Sequence, residues 1–185
     1  MCYYITAVLP SGTNQNYAQA IAERHGRNLK PLENPGVQKQ LRSGELYCLT
    51  TAGHCDCDTS LGSLARKKST LQSLTELKAK KLTALGWSSA KIERAISQST
   101  QSRAKQSAEA DTEAWIQFMQ DLRSARVPYL GLLLHFYGGA LSQNIHFKDR
   151  ILVSSASQAR EVLPRMAEDT LYEFRTEASQ ETPSK

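Results

Sequence analysis

The chain has no long uninterrupted run of apolar residues. Its longest apolar stretch, 127–137, is broken by Pro128, Gly131 and His135, whereas a membrane-spanning helix needs about 18 consecutive apolar residues. The sequence therefore excludes a transmembrane helix. With 185 residues, of which 40% are hydrophobic and 7% aromatic, the composition is that of a soluble protein with one core and one domain.

The first residues, MCYYITAVLP, lack a positively charged start and a small-residue cleavage site after an apolar core. We therefore expect a cytoplasmic protein, in which thiols stay reduced. A bridge between Cys55 and Cys57 would also close a very tight, strained ring. The four cysteines (Cys2, Cys48, Cys55 and Cys57) are thus predicted to be free thiols or metal ligands rather than two disulfides.

Motifs that name a reaction are also missing. Gly138-Gly139 lacks the following helix and the lysine of a phosphate-binding loop. Nothing marks the nucleophile elbow of a hydrolase. No complete catalytic constellation can be assembled, and this favours a non-catalytic binding or regulatory protein over an enzyme.

The run His54-Cys55-Asp56-Cys57 clusters thiols with an imidazole in a turn-forming context. Thiolate and imidazole are the ligands that zinc prefers, so His54, Cys55 and Cys57 are candidate ligands of a structural zinc ion. A C-x-C pair is a weaker signal than paired C-x-x-C motifs. Further ligands would have to come from elsewhere in the chain: Cys48, Cys2, His25, His135, His146 or a carboxylate.

Two other interpretations of this run stay open. One cysteine could be a reactive thiol activated by His54, although the flanking Asp56 and Asp58 argue against it because nearby carboxylates raise the pKa of a thiol. In the other interpretation the run is a tight polar turn in which the aspartates bond backbone amides and the cysteines only pack.

Cys2 stands at the start of the first predicted strand. The opening Met1-Cys2 followed by a strand resembles the start of N-terminal-nucleophile glutamine amidotransferases, in which loss of the methionine would leave the cysteine with its own amine as a base. The resemblance covers only the first few residues. The chain is short for that catalytic domain and has no matching oxyanion or glutamine-binding motif downstream. Cys2 is therefore interpreted as a cysteine that opens an inward-facing strand.

Positive charge is concentrated in one segment. Residues 62–105 carry ten lysines and arginines against two glutamates, in a chain of net charge +5. Such a cluster attracts acidic protein surfaces and nucleic acids, although a solvated helix face without a partner is the alternative. Trp87 is the only aromatic residue there, which is poor for stacking on single strands. An acidic protein partner is therefore favoured, with Lys67, Lys78, Lys81, Lys91 and Arg94 as candidate contacts.

The apolar pattern predicts four strands, at 2–9, 45–52, 127–137 and 145–154. The third is apolar at alternate and intervening positions, as in a central strand covered on both faces. Helices are predicted from Asn14 or Asn16 to His25-Gly26, and from 157 onward with a kink at Pro164. Two more, at 69–86 and 89–126, would form a hairpin whose polar stretch 98–106 allows a break.

The predicted fold is therefore α/β or α+β, a mixed four-stranded sheet with flanking helices and an inserted helical hairpin. We expect a single domain over 1–185, with 62–126 as a basic helical insertion and 176–185 as a flexible tail. The function favoured is a binding or regulatory protein that engages an acidic partner through the basic hairpin and carries a His/Cys turn able to bind structural zinc. A small thiol- or metal-dependent enzyme centred on His54, Cys55 and Cys57, and a nucleic-acid-binding protein, are the alternatives.

Overall fold

The fold is built on one mixed β-sheet. The computed structural model describes residues 2–57, 59–62 and 81–175, with the side chains of 95–107 outside the description. The strands within these residues are β1 Cys2–Leu9, β2 Lys30–Pro31, β3 Leu46–Leu49, β4 Leu130–Tyr137, β5 Asp149–Val153 and β6 Thr170–Phe174. They lie in the order β2-β3-β1-β4-β6-β5. The β5–β6 pair is parallel and the other pairs are antiparallel, which confirms the mixed sheet but not the predicted count of four strands.

The helices with defined bounds are α1 Gln15–Arg24, α2 Pro35–Gln38, α3 Ser89–Ser124 and α4 Ala156–Val162, the last continued by a 3-10 turn at Leu163–Arg165. Asn14 starts α1, because its side-chain oxygen accepts the Tyr17 N–H at 3.1 Å. Such a bond satisfies one of the unpaired amides at a helix start. Within the described ranges, no helix is both long and apolar enough to cross a lipid bilayer.

β4 is the central strand that its apolar sequence predicts. It lies between β1 and β6, and seven of its eight residues are buried. Leu132 and Leu134 pack into the core beneath the helices, whereas Leu133 packs on the opposite face of the sheet. The apolar positions of both faces are therefore used, and the prediction is confirmed.

Two layers cover the sheet. On one face, residues of α1, α3 and α4 such as Ile21, Phe118 and Ala159 complete the larger core. On the other face, Val37 of α2 and Ile145 of the loop after β4 cover a smaller cluster. The sheet thus has helices on one side and mainly loop residues on the other.

The strand β6 was not predicted. The β6 segment, TLYEF, contains Glu173, and a glutamate is rarely buried in a strand unless it is paired. Here the Glu173 side chain is only 2% exposed. Its burial is tolerated because its carboxylate accepts a 2.8 Å hydrogen bond from Arg150. The missing information was a long-range ion pair, which a local pattern does not reveal.

The predicted helical hairpin also differs from the structure. Its second arm, α3, is one continuous helix of 36 residues with no break in its polar middle, about 54 Å long at 1.5 Å per residue. The C-terminal half packs in the main core through Trp115, Phe118 and Leu122, so this part of the predicted arm contributes to the core. The first arm falls mostly outside the described residues, except for a helical turn at 81–84 that ends before Gly86.

A buried ion network closes one end of the sheet. Glu45 and Glu173 are each 2% exposed, and the Arg150 guanidinium bonds both carboxylates. Glu45 also accepts the hydroxyl of Tyr129. Burial alone would raise the pKa of Glu45. The hydrogen bonds from Arg150 and Tyr129 outweigh that effect and hold the pKa of Glu45 below its ordinary value.

Replacing Glu45 by glutamine tests this network. We expect Glu45→Gln to lower the free energy of unfolding by about 3 kcal/mol at neutral pH, because it removes one partner of a buried charge pair. A carboxyl whose pKa is lowered by folding stabilises the protein above its unfolded pKa of about 4.3, and this contribution is lost as the pH falls through the folded pKa.

The difference between wild type and Glu45→Gln should therefore shrink below about pH 4. Urea denaturation at a series of pH values measures it, with the exposed Glu33→Gln as the matched control. A gap that stays constant from neutral to acidic pH would show that ionised Glu45 does not stabilise the fold.

Candidate metal centre

β1 extends beyond its neighbour β3 at one end of the sheet. β1 pairs with β4 along its length, from Cys2 opposite Tyr137 to Val8 opposite Gly131. Its pairing with β3 covers only residues 6–9. The other edge of residues 2–5 is therefore left without a strand partner, and buried backbone amides need one.

The Cys/Asp turn supplies the missing partners. The Asp56 N–H donates to the Tyr3 carbonyl at 2.9 Å, and the Tyr3 N–H donates to Cys57 Sγ at 3.2 Å. The Ile5 N–H donates to Asp56 Oδ2 at 2.8 Å. Where β3 stops, the turn thus provides the hydrogen-bond partners of β1. The polar-turn interpretation of the sequence expected Asp56 to bond a backbone amide, and it does.

Asp56 is a buried carboxyl, 3% exposed, which also accepts the hydroxyl of Thr51. Burial raises the pKa of Asp56 above its ordinary value, although the bonds from Ile5 and Thr51 and the charge of Arg27 oppose this. Its carboxylate faces the strand backbone. Asp56 therefore has a structural role in this turn.

Arg27, whose side chain is 11% exposed, is a cation whose charge acts on the Asp56 carboxyl. Burial lowers the pKa of Arg27, and Asp111 opposes the shift through a 3.1 Å hydrogen bond. The guanidinium carbon lies 3.4 Å from the ring centroid of Trp115. Asp111 also accepts the backbone N–H of Ser60 at 3.1 Å. Helix α3 thereby anchors the chain just after the turn.

Anchoring the turn beside β1 brings three thiols together. The Sγ atoms of Cys2, Cys55 and Cys57 all lie within 4.8 Å of one another. Cys57 is buried, and the other two are partly exposed. Tyr4 borders the group: burial first, then the charges of Cys2 and Cys55, raise the pKa of its hydroxyl. Three thiols so placed could hold a metal ion.

The ligand set inferred from sequence is only partly brought together. Cys55 and Cys57 are in the group, and Cys2, which the sequence offered as one of several further ligands, joins them. The imidazole of His54 is exposed and is not in the group. The backbone carbonyl of His54 accepts a 2.9 Å hydrogen bond from the Tyr4 hydroxyl. Cys48 is buried in the main core, and burial raises the pKa of its thiol to about 12.

Two other candidate ligands have different partners. His25 Nε2 contacts Asp121 at 2.9 Å, and His146 Nε2 lies 3.3 Å from the Asn144 amide. Neither belongs to the thiol group. The spacing of Cys55 and Cys57 was visible in the sequence, but the selection of Cys2 over these histidines was not.

The predicted partner contacts are described only in part. Lys67 and Lys78 lie outside the described residues. Lys81, Lys91 and Arg94 are exposed, with Lys91 Nζ 4.3 Å from the Trp87 ring centroid. That these cations contact an acidic partner stays a prediction.

Removing the Asp56 carboxyl tests its support of β1. We expect Asp56→Ala to lower the free energy of unfolding by about 2 kcal/mol, because the Ile5 amide and Thr51 hydroxyl lose their acceptor in a buried site. Asp56→Asn keeps an acceptor oxygen and should lose less. Urea denaturation measures both, with the exposed Asp149→Ala as control. Equal stability of Asp56→Ala and wild type would contradict this role.

No protein-family model, curated protein or solved structure matches this chain. What the centre does is therefore inferred from its own side chains: two partly exposed thiols, one buried thiol and a tyrosine hydroxyl beside them.

Proposed function

We propose that the protein is a zinc-binding, non-catalytic binding or regulatory protein in which Cys2, Cys55 and Cys57 hold a structural ion. The observation that carries this proposal is the mutual approach of three sulfur atoms within 4.8 Å. Thiolates are ligands of zinc, iron–sulfur clusters and copper(I). Among these, we favour zinc because individual cysteine thiolates coordinate it directly in a tetrahedral site and because it takes part in no redox chemistry.

The spacing of the sulfurs suits such an ion. With Zn–S bonds of about 2.3 Å, two sulfurs of a tetrahedral site lie about 3.8 Å apart. Small side-chain rotations are enough to reach this spacing from separations of at most 4.8 Å. Zinc would also balance the charge of thiolates that otherwise repel one another.

The positions of the three ligands along the chain support a structural role for the ion. Cys2 opens β1, and the other two ligands lie in the turn that replaces β3 along that strand. An ion bound to all three would hold the chain start against this turn. Metal binding would then contribute directly to the free energy of folding.

The basic segment supplies the binding part of the proposal. The side chains of Lys81, Lys91 and Arg94 are exposed to solvent. They belong to the segment 62–105, which contains ten lysines and arginines but only two glutamates. Clustered positive charge steers acidic partners toward a surface. We propose an acidic protein surface as the partner, with nucleic acid as the competing polyanion.

A small metal- or thiol-dependent enzyme is the second candidate. Three protein ligands leave one position of a tetrahedral ion open, which is the arrangement of catalytic rather than structural zinc. The partial exposure of Cys2 and Cys55 favours this candidate. Selective alkylation of one low-pKa cysteine in the zinc-loaded protein would support the enzyme over the structural site.

The zinc proposal predicts about one zinc per chain in protein purified without a metal-binding tag. We expect three thiols to be shielded from an alkylating reagent until a chelator is added. Cys2→Ser and Cys55→Ser should abolish this shielding. Elemental analysis and thiol counting with and without chelator measure both quantities.

Two variants make the test specific. Cys48→Ala removes a thiol outside the group and should keep the shielding, and His54→Ala should keep it too, since that imidazole is outside the group. Loss of shielding in His54→Ala would instead support the ligand set inferred from the sequence, in which His54 binds the ion. Thiols that react equally with and without chelator in zinc-supplemented protein would overturn the proposal.

Charge reversal tests the partner surface. The triple variant Lys81→Glu, Lys91→Glu, Arg94→Glu should bind polyglutamate about tenfold more weakly at low salt, since fewer counterions are released. Fluorescence anisotropy with labelled polyglutamate and labelled duplex DNA measures this.

The control reverses three exposed cations elsewhere, Arg24, Lys30 and Lys39, and should bind nearly as wild type does. Tighter binding of DNA than of polyglutamate, lost in the first triple variant, would select the nucleic-acid alternative. Equal losses in both triple variants would show that no local surface is involved.

A further inference from the structure

A second group of ligand-type side chains lies beside the other member of the central strand pair. His135 of β4, with Glu168 and Asp169 just before β6, offers three ligand atoms that all lie within 4.8 Å of one another. These atoms are nitrogen and oxygen rather than sulfur. Of the three residues, only His135 was considered a ligand from the sequence.

The two carboxylates are placed by the free edge of β4. The Asp169 N–H donates to the Leu134 carbonyl at 3.0 Å, and Glu168 Oε1 accepts the Phe136 N–H at 3.1 Å. Asp169 adopts a positive φ of 58°, which aspartate and asparagine tolerate better than most residues. The backbone therefore fixes both side chains next to His135.

The imidazole of His135 is the distinctive member of the group. The residue is 9% exposed, and its Nδ1 contacts an Asp169 carboxylate oxygen. The other ring nitrogen, Nε2, is buried with no hydrogen-bond partner among the residues that the structure describes. A buried polar atom without a partner is rare and costs about 1–3 kcal/mol. Because Nδ1 is the nitrogen that contacts Asp169, an ion shared by the ring and the carboxylates would bind Nδ1 and leave Nε2 as the protonated nitrogen.

The charge of the group also favours a cation. Among the described residues, the lysine paired with this group is Lys148, whose Nζ lies 4.0 Å from an Asp169 carboxylate oxygen and whose side chain is 71% exposed. A lysine so exposed is screened by solvent and offsets little of the negative charge. A divalent ion would be bound by both carboxylates at once.

We propose that His135, Glu168 and Asp169 form a second metal site, which takes a divalent first-row ion of the manganese or iron(II) class. One imidazole with two carboxylates is a harder donor set than three thiolates, so the two groups select different metals. The hydrogen bond from the Phe136 amide to Glu168 is compatible with ligation, because ligating carboxylates are commonly hydrogen-bonded as well. The competing arrangement is a closed ion pair of His135 with Asp169.

Manganese(II) separates this site from the thiol site. We would titrate the 185-residue chain with Mn²⁺ and follow the electron paramagnetic resonance signal of the free ion. Wild type and the Cys2→Ser, Cys55→Ser double variant should bind one Mn²⁺ per chain with the same affinity. Failure of the zinc proposal would leave this result unchanged.

Near-isosteric variants identify the ligands. Glu168→Gln keeps an acceptor for the Phe136 amide, and Asp169→Asn tolerates the positive φ, so both should fold. Each should bind Mn²⁺ at least about tenfold more weakly, a loss of the size seen when a metal site is perturbed. Asp149→Asn, at an exposed position on β5, is the matched control and should bind as wild type does.

Three results would overturn the second site. The first is no Mn²⁺ binding by wild type, which would leave the closed ion pair of His135 and Asp169. The second is binding that survives in both Glu168→Gln and Asp169→Asn. The third is binding that disappears in the cysteine double variant, which would assign the ion to the thiols.

Discussion

The antiparallel pairing of β1 with β4 is the interaction on which the rest of the structure depends. It places the first strand of the chain in the interior of the sheet, where both of its edges must be satisfied. β3 satisfies one edge only along residues 6–9, so Thr50 and the Cys/Asp turn bond residues 3–5 instead. On the β4 side, Asp169 and Glu168 perform the same task for residues 134 and 136. Both groups of candidate ligands therefore lie where the central pair extends past its neighbours.

A charged side chain is buried at each end of the β1–β4 pair. At one end the Asp56 carboxyl bonds the β1 backbone, close enough to Arg27 for the two charges to interact. At the other end Glu173, opposite Gly131 in the β4–β6 ladder, shares Arg150 with Glu45. A buried charge is costly unless it is paired, so each pair penalises a shift in strand register. The apolar core alone would tolerate such shifts more readily, because many of its residues are leucines of similar shape.

Local patterns predicted much of the fold for identifiable reasons. The apolar run in β4 led to a buried central strand, and Asn14 was one of two residues named as the cap of α1. Gly86, with a φ of 77°, ends the helical turn at 81–84 as a C-terminal glycine does. The missed strand β6 contains Glu173, whose burial depends on Arg150, a residue 23 positions away. The expected insertion at 62–126 had the polarity of an exposed arm, but the aromatic residues in the last three turns of its long helix, Trp115 and Phe118, belong to the core.

The sequence by itself determined the chemistry available to this protein: two thiols separated by one residue, a thiol at position 2, and a strongly basic segment. Residues this close along the chain meet whatever the fold, which is why Cys55 and Cys57 could be paired from spacing alone. Only the tertiary structure decided that Cys2 joins them and that His54 does not. The reason is the strand register: residues separated by more than fifty positions meet only because β1 lies beside the turn, and that arrangement is set by backbone hydrogen bonds rather than by any local pattern.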